Sequence, residues 1–278
     1  MFASIKPDSI ETSPMSRFPA LLKNHKKLWI PLGVIFFLVF VISNIPAIWG
    51  AYLLTRGTGV ALSGVTGTLW DGRASLASVR MTDKEYSLGQ LSWNLSPLSL
   101  LTFSPCAHVT TKLNMQSFTG DICSGSGGAL RLSNADVSLP AALVQERIPF
   151  PIQGQFSAHI DEMDLRGNVL LKLKGNLSWN GARVNTGANW MDIGSYAAEL
   201  KDNGKNGVSA KFFQLAGPVE VNLQIELAAP AGGKVSGELA APKAFFEAAN
   251  AIDMLAMFAQ EDRVDEEGRT HYRVDINL

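Results

Sequence analysis

The sequence predicts a mainly β protein: a single N-terminal transmembrane helix, then an antiparallel β-rich domain built as a curved sheet or a sandwich, with one C-terminal amphipathic helix. Three observations lead there. Leu28–Thr55, "LWIPLGVIFFLVFVISNIPAIWGAYLLT", holds no charged residue in 28 positions. Beyond residue 56 apolar residues recur with a period of two, and helical spacing is confined to one stretch near the end. At 278 residues, 46% hydrophobic and 18% charged, the chain is long and apolar enough to bury a core.

The first 27 residues form a basic tail. Lys6, Arg17, Lys23, Lys26 and Lys27 outweigh Asp8 and Glu11, whereas the whole chain carries a net charge of −1. This overall balance gives no attraction for nucleic acid, and no local basic patch supplies one, so polynucleotide binding is excluded.

At ~1.5 Å per residue, 28–55 is long enough as a helix to exceed the ~30 Å hydrocarbon core of a bilayer. Trp29 and Trp49 lie roughly 30 Å apart on such a helix, as a pair of interfacial aromatic residues would. Pro31 falls in the first turn, where its missing N–H costs little; Pro46 either kinks the far end or marks where the helix leaves the bilayer. A cleaved signal peptide has a shorter apolar stretch and a clearer small-x-small cleavage site than "AIWGA" offers. The lysines precede the span, so the positive-inside rule puts 1–27 in the cytoplasm and exports 56–278.

The exported part reads as strands. In "PVEVNLQIELA", Val219, Val221, Leu223, Ile225 and Leu227 alternate with Glu220, Asn222, Gln224 and Glu226. The same alternation occurs in "IQGQFSAHI" (152–160) and "NVLLKLKGNLSW" (168–179), and more weakly around 88–95, 109–115 and 208–212. Asp71-Gly72, Asn180-Gly181, Asn203-Gly204 and Glu267-Gly268 stand between such runs as turn candidates, which makes "GTLWDGRASL" a hairpin with Asp-Gly at its tip. Pro140–Glu146 forms a turn or two of helix. Pro242 opens an amphipathic helix over about 243–260, with Phe245, Ala248, Ala249, Ile252, Leu255, Ala256 and Ala259 on its apolar stripe. "RTHYRVDINL" closes the chain with a strand presenting Thr270, Tyr272, Val274, Ile276 and Leu278 on one face.

"LGQLSWNLSP" (88–97) and "LKGNLSWNGA" (173–182) are alike, as a repeated strand-and-turn unit or by the chance similarity of strands. Trp70, Trp93 and Trp179 are expected to be buried at hairpins, since such rings carry large apolar area. The two cysteines of the chain, Cys106 and Cys123, both fall on the exported side. In an oxidising compartment they form a disulfide; two buried thiols are the alternative.

No catalytic constellation emerges. His108, Asp121 and Ser126 follow the chain order of one serine-protease class but lie within 19 residues of each other, and Gly125 stands where an acidic residue would precede the serine. His25, His108, His159 and His271 lack the spacing of metal ligands. "DNGKNG" (202–207) lacks the later ligands of a calcium loop and reads as a turn. The acidic group Asp161, Glu162 and Asp164 reads as a solvated strand end. No metal, cofactor or catalytic residue is expected, which leaves interaction as the role, through sheet edges and one-sided strands.

The layout and two blocks of residues resemble the type II secretion system protein N family. The more specific blocks are "VTGTLWDGRA" (65–74), with Gly67, Leu69, Trp70 and Gly72, and "LGQLSWNLSPLSLL" (88–101), with Leu91, Trp93 and Pro97. Looser likeness runs through "LPAALVQERIPFPIQGQFSAHI" (139–160) and "VDEEGRTHYRVDIN" (264–277). The resemblance implies a non-enzymatic, single-pass protein of the bacterial inner membrane whose periplasmic domain serves the machine that exports folded proteins across the outer membrane. Its implied partners are the lipid bilayer and other proteins of the inner-membrane platform. The Leu-x-Trp pattern is also similar to that of AsmA-like proteins, which implies the alternative of a periplasmic lipid-binding or lipid-transfer module.

Overall fold

The computed structural model describes residues 26–56, 59–81, 84–145, 148, 150–167, 169–185, 189–204, 206–228, 232–248, 255–256 and 259–277. Most of the basic tail lies outside them. The chain divides into two units, 1–44 and 45–278.

The first unit contributes one described helix, α1 (Lys26–Ser43). Its side chains from Trp29 to Ser43 are all exposed, although they are almost entirely apolar. The helix ends where the Asn44 side-chain amide and backbone N–H both turn back to the Phe40 carbonyl, and Pro46, with no N–H, cannot continue it. The expected span over 28–55 is therefore divided: α2 (Ala47–Thr55) is a separate element of the second unit. Among the described residues, no helix is long and apolar enough to cross a membrane.

The second unit is built on one antiparallel sheet of 14 strands. They are β1 (Val60–Gly67), β2 (Asp71–Met81), β3 (Lys84–Leu95), β4 (Cys106–Leu113), β5 (Gln116–Ser124), β6 (Ala129–Pro140), β7 (Ile152–Arg166), β8 (Val169–Asn185), β9 (Trp190–Asp202), β10 (Gly207–Ala216), β11 (Glu220–Ala228), β12 (Gly232–Pro242), β13 (Ala259–Val264) and β14 (Arg269–Asn277). Each pairs with its sequence neighbour, except that β14 inserts between β12 and β13. Of the two expected forms, a single sheet results, and short connections explain it: a meander needs no crossover. Among the described residues two short α-helices interrupt it, α3 (Pro97–Leu101) between β3 and β4 and α4 (Lys243–Ala248) after β12, and a turn of 3-10 helix at Ala141–Leu143 stands within the 140–146 stretch expected to be helical.

Register explains how one layer tolerates so many strands. From β6 to β14, through β12, one row reads Ala135, Ile160, Gly175, Leu200, Ala210, Ile225, Val235 and Ile276. The adjacent row reads Asp136, His159, Asn176, Glu199, Lys211, Gln224, Ser236 and Asp275, which points to the opposite face. The alternation seen in single strands is thus continuous across the sheet, giving one apolar and one polar face.

The apolar face packs best at the C-terminal end, where Phe246 and Leu255 join Val219, Ala241, Ala259, Tyr272 and Val274 in a buried cluster. The Tyr272 ring meets Phe246 edge-on at 5.0 Å between centroids. The helix expected over 243–260 is described only as Lys243–Ala248, and residues 249–254 and 257–258 lie outside the described set. Phe246, which the expected stripe omits, is its fully buried residue, the expected Phe245 packs partly buried against the same cluster, and Ala259 already belongs to β13. In the last strand Thr270, Tyr272 and Val274 are buried as expected, while Leu278 lies outside the described residues.

Candidate functional site

The two tryptophan blocks converge on one rim of the sheet. Gly67 ends β1 with φ +92° and pairs with Gly72, so the tip of the hairpin is Thr68-Leu69-Trp70. The tip expected at Asp71-Gly72 is displaced: those residues already open β2. Gly72 is needed for space, because it faces Trp93 across the β2–β3 pair and a Cβ there would run into the indole. Leu91, two residues earlier, pairs with Ala74 on one side and Thr111 on the other.

Hydrogen bonds join the two blocks. The Trp93 indole N–H donates to the Leu69 carbonyl at 3.0 Å, and the Leu95 N–H donates to the Trp70 carbonyl at 2.7 Å. The Leu69 N–H donates in turn to the Ile45 carbonyl at 2.8 Å, and Pro46 bridges Thr68. This fixes the start of α2, which packs on the sheet through buried Ala47, Gly50 and Ala51. Gly50 lies against Leu69, where a Cβ would collide with the leucine side chain. The segment Ile45–Gly50 had no strand signal of its own, and its part in this site was not foreseen; the small residues Ala47, Gly50 and Ala51 at i, i+3, i+4 spacing were the available clue.

Pro97 opens α3, and the disulfide lies just beyond. Cys106 and Cys123 face each other across β4 and β5, with an S–S distance of 2.08 Å. The bond forms because the strand register puts the two cysteines on one rung, which decides between the alternatives. Ser96 N–H donates to the Cys106 carbonyl at 2.9 Å, and Cys106 N–H donates to the Ser99 hydroxyl at 2.9 Å.

The likeness between 88–97 and 173–182 extends to geometry. Trp179 donates its indole N–H to the Gln153 carbonyl at 3.1 Å, beside Gly154 at the start of β7. Trp70, Trp93 and Trp179 are half-buried, not buried, because a single layer leaves one side of each ring uncovered. Asn180-Gly181 makes no hairpin: β8 runs through it with a register shift after Trp179 and Gly181 at φ +56°. Asn203-Gly204 and Glu267-Gly268 do fall between strands, β9 to β10 and β13 to β14.

Several of the remaining polar groups pair across strands. His108 Nδ1 lies 2.8 Å from Asp121, its direct partner, but Ser126 stands in the turn beyond the disulfide rung. Asp161 lies near Lys174 and His159, Glu162 meets Lys172, and Asp164 receives the Arg131 guanidinium at 2.7 Å. Among the described residues no cluster of potential metal ligands occurs. A cleft of about 500 Å³ on the polar face is lined by residues such as Ser117, Ser138, Ser157 and Asn176. At the other end of the sheet, His271 sits between Glu238 at 2.5 Å and Asp265 at 3.0 Å, with Arg263 also on Glu238. Hydrogen bonds to Asp265 and then Glu238 raise the His271 pKa, and the same bond lowers that of Asp265.

Comparison with known proteins agrees with the layout of the blocks. The chain is 31% identical over 185 residues to the type II secretion system protein N of Aeromonas hydrophila, covering 64% of this chain and 70% of that protein. It is 27% identical over 170 residues to the protein of the same name from Vibrio cholerae serotype O1, covering 58% of this chain and 64% of that one. No solved structure matches. The model of the family described as type II secretion system (T2SS), protein N matches residues 58–269, from just before β1 to the first residue of β14, and the chain belongs to that family.

Proposed function

We propose that this chain is a non-enzymatic component of the type II secretion apparatus, held at the inner membrane by its N-terminal apolar segment and acting through contacts with other proteins of the inner-membrane platform. Family membership over 58–269 carries the reading. The two blocks that define the resemblance build the hairpin rim and hold it to Ile45, so they act as a structural joint. On this reading 1–27 lie in the cytoplasm and the sheet lies in the periplasm, where a disulfide persists.

The anchor is α1. Its 18 residues, which begin with Lys26 and Lys27, extend ~27 Å, short of the ~30 Å hydrocarbon core on their own, so a crossing here needs thinning of the bilayer together with the residues that flank α1. An exposed surface so apolar is stable only when something covers it. Asn44 and Pro46 then mark the exit from the bilayer.

Deleting the gene and assaying exported enzymes in the culture medium tests the role. Loss of secretion, restored by the intact gene, is expected. Unimpaired secretion together with no platform protein co-purifying would contradict it. A periplasm-dependent reporter fused after Leu278 is expected to be active. The AsmA-like alternative is set aside, because the matching family is the secretion one.

A further inference from the structure

Beside the joint, the sheet carries an apolar surface with no partner among the described residues. In α3 and the loop after it, Leu98, Leu101 and Phe103 are 74%, 77% and 88% exposed. This is not a loosely tethered loop. The Ser99 hydroxyl donates to the Ser96 carbonyl at 2.6 Å and accepts from Cys106 N–H, and Ser104 N–H returns to the Ser99 carbonyl at 3.2 Å. Phe103 is held at φ +53°, in the left-handed region that a bulky residue seldom occupies. Structure that maintains a backbone strain while displaying three large apolar side chains to water points to a use for them.

The location narrows the use. Leu95, immediately before Ser96, is bonded to Trp70, and Leu69 is bonded to Ile45. The loop therefore leaves the same rim at which the chain enters this unit, one peptide bond after Asn44. Ile48 and Trp49, at the start of α2, are also exposed, at 62% and 65%. Moreover, no Asp, Glu, Lys or Arg occurs from Tyr86 to Thr111. Leu, Phe and Trp without charge suit the boundary between headgroups and acyl chains.

We propose that the α3 loop is a second membrane contact, with Leu98, Leu101 and Phe103 inserted into the bilayer interface so that the rim, and not merely the N-terminal helix, sets the orientation of the sheet. The proposal rests on α1 being in the membrane. Charge-free composition and the covalent proximity of the rim to α1 favour lipid over a protein partner as the occupant.

The test uses the full-length protein in vesicles of phosphatidylethanolamine and phosphatidylglycerol. A photoreactive residue is introduced as Phe103→p-benzoylphenylalanine, with Leu101, Phe37 and Asn176 replaced likewise in separate chains, and adducts are identified by mass spectrometry after irradiation. Lipid adducts are expected at 103, 101 and 37 and none at 176, on the polar face. Lipid at 37 but at neither 101 nor 103 would overturn the second contact while leaving the anchor intact. Lipid at none of the three would overturn the anchor reading as well. Adducts at 101 and 103 only to a second protein molecule would overturn the inference in favour of a protein interface.

Discussion

Trp93 and Trp179 sit in the same local frame and serve different ends. Each projects from the later strand of a pair and donates its indole N–H to a carbonyl near the start of the earlier one, with a glycine, Gly72 or Gly154, against its ring. Around Trp179 the frame opens onto the sheet: its ring lies 5.3 Å from Phe156 and 6.2 Å from Tyr196, which stacks on Phe212 at 5.4 Å. Around Trp93 the frame opens onto the joint, where the carbonyl it binds belongs to Leu69, the residue that holds Ile45. The same local frame thus stabilises the middle of the sheet in one place and ties the preceding segment to it in the other. The disulfide and α3 accompany only the second.

Removing what is particular to the Trp93 side should have the largest effect. Replacing Cys106→Ser and Cys123→Ser together is expected to cost about 3 kcal/mol, since the bond closes a loop of 17 residues in sequence. Urea denaturation of the full-length protein measures it, and an unchanged midpoint would mean that the bond does not constrain the domain. Gly72→Val comes next, at about 2 kcal/mol, because the added side chain meets the Trp93 ring. Gly181→Ala, near Trp179, should cost only about 1 kcal/mol, from its positive φ alone, as nothing lies within 4 Å of its missing Cβ. Equal losses from the two glycine changes would break the comparison.

A smaller effect is expected far from both tryptophans, at His271. Its raised folded pKa means that its contribution is complete below about pH 6.5 and is lost as pH rises through the folded value. Asp265, lowered, contributes above about pH 4 and loses its effect as pH falls. The β13–β14 hairpin should therefore be tightest between about pH 4 and 6.5, with Glu238 and Arg263 completing the network. Amide exchange at Arg269 and His271, corrected for its intrinsic pH dependence, should quicken above that window, and His271→Gln should flatten the change without altering exchange at Leu69.

Much of this architecture was legible because alternation is a local property. "PVEVNLQIELA" announced β11, and the final strand announced its buried Thr270, Tyr272 and Val274. What the pattern could not carry was partnership. Glycine next to Asp or Asn signals a turn, yet Gly72 is small for Trp93, and Gly181 accommodates a register shift within β8. The purpose of each glycine depends on a neighbouring strand, on Trp93 for Gly72 and on β9 for Gly181. Likewise the apolar run 28–55 reads as continuous by hydropathy, which does not register that Pro46 and the Ile45–Leu69 bond assign its last third to the sheet. The motif residues Gly67, Leu69, Trp70, Gly72, Leu91, Trp93 and Pro97 were identifiable as a set. The segment entering α2, which Leu69 holds, was not, because backbone hydrogen bonding leaves little trace in side-chain composition.

Hydrogen–deuterium exchange on the full-length protein in detergent, with Trp93→Phe compared with Trp179→Phe, tests the division of labour most directly. Each change removes one hydrogen bond, worth about 1 kcal/mol. Trp93→Phe should accelerate exchange at Leu69 and through α2, while Trp179→Phe should leave both protected and act on β7 near Gln155. Equal acceleration of α2 by the two substitutions, or none by Trp93→Phe, would contradict the assignment of the first frame to the joint.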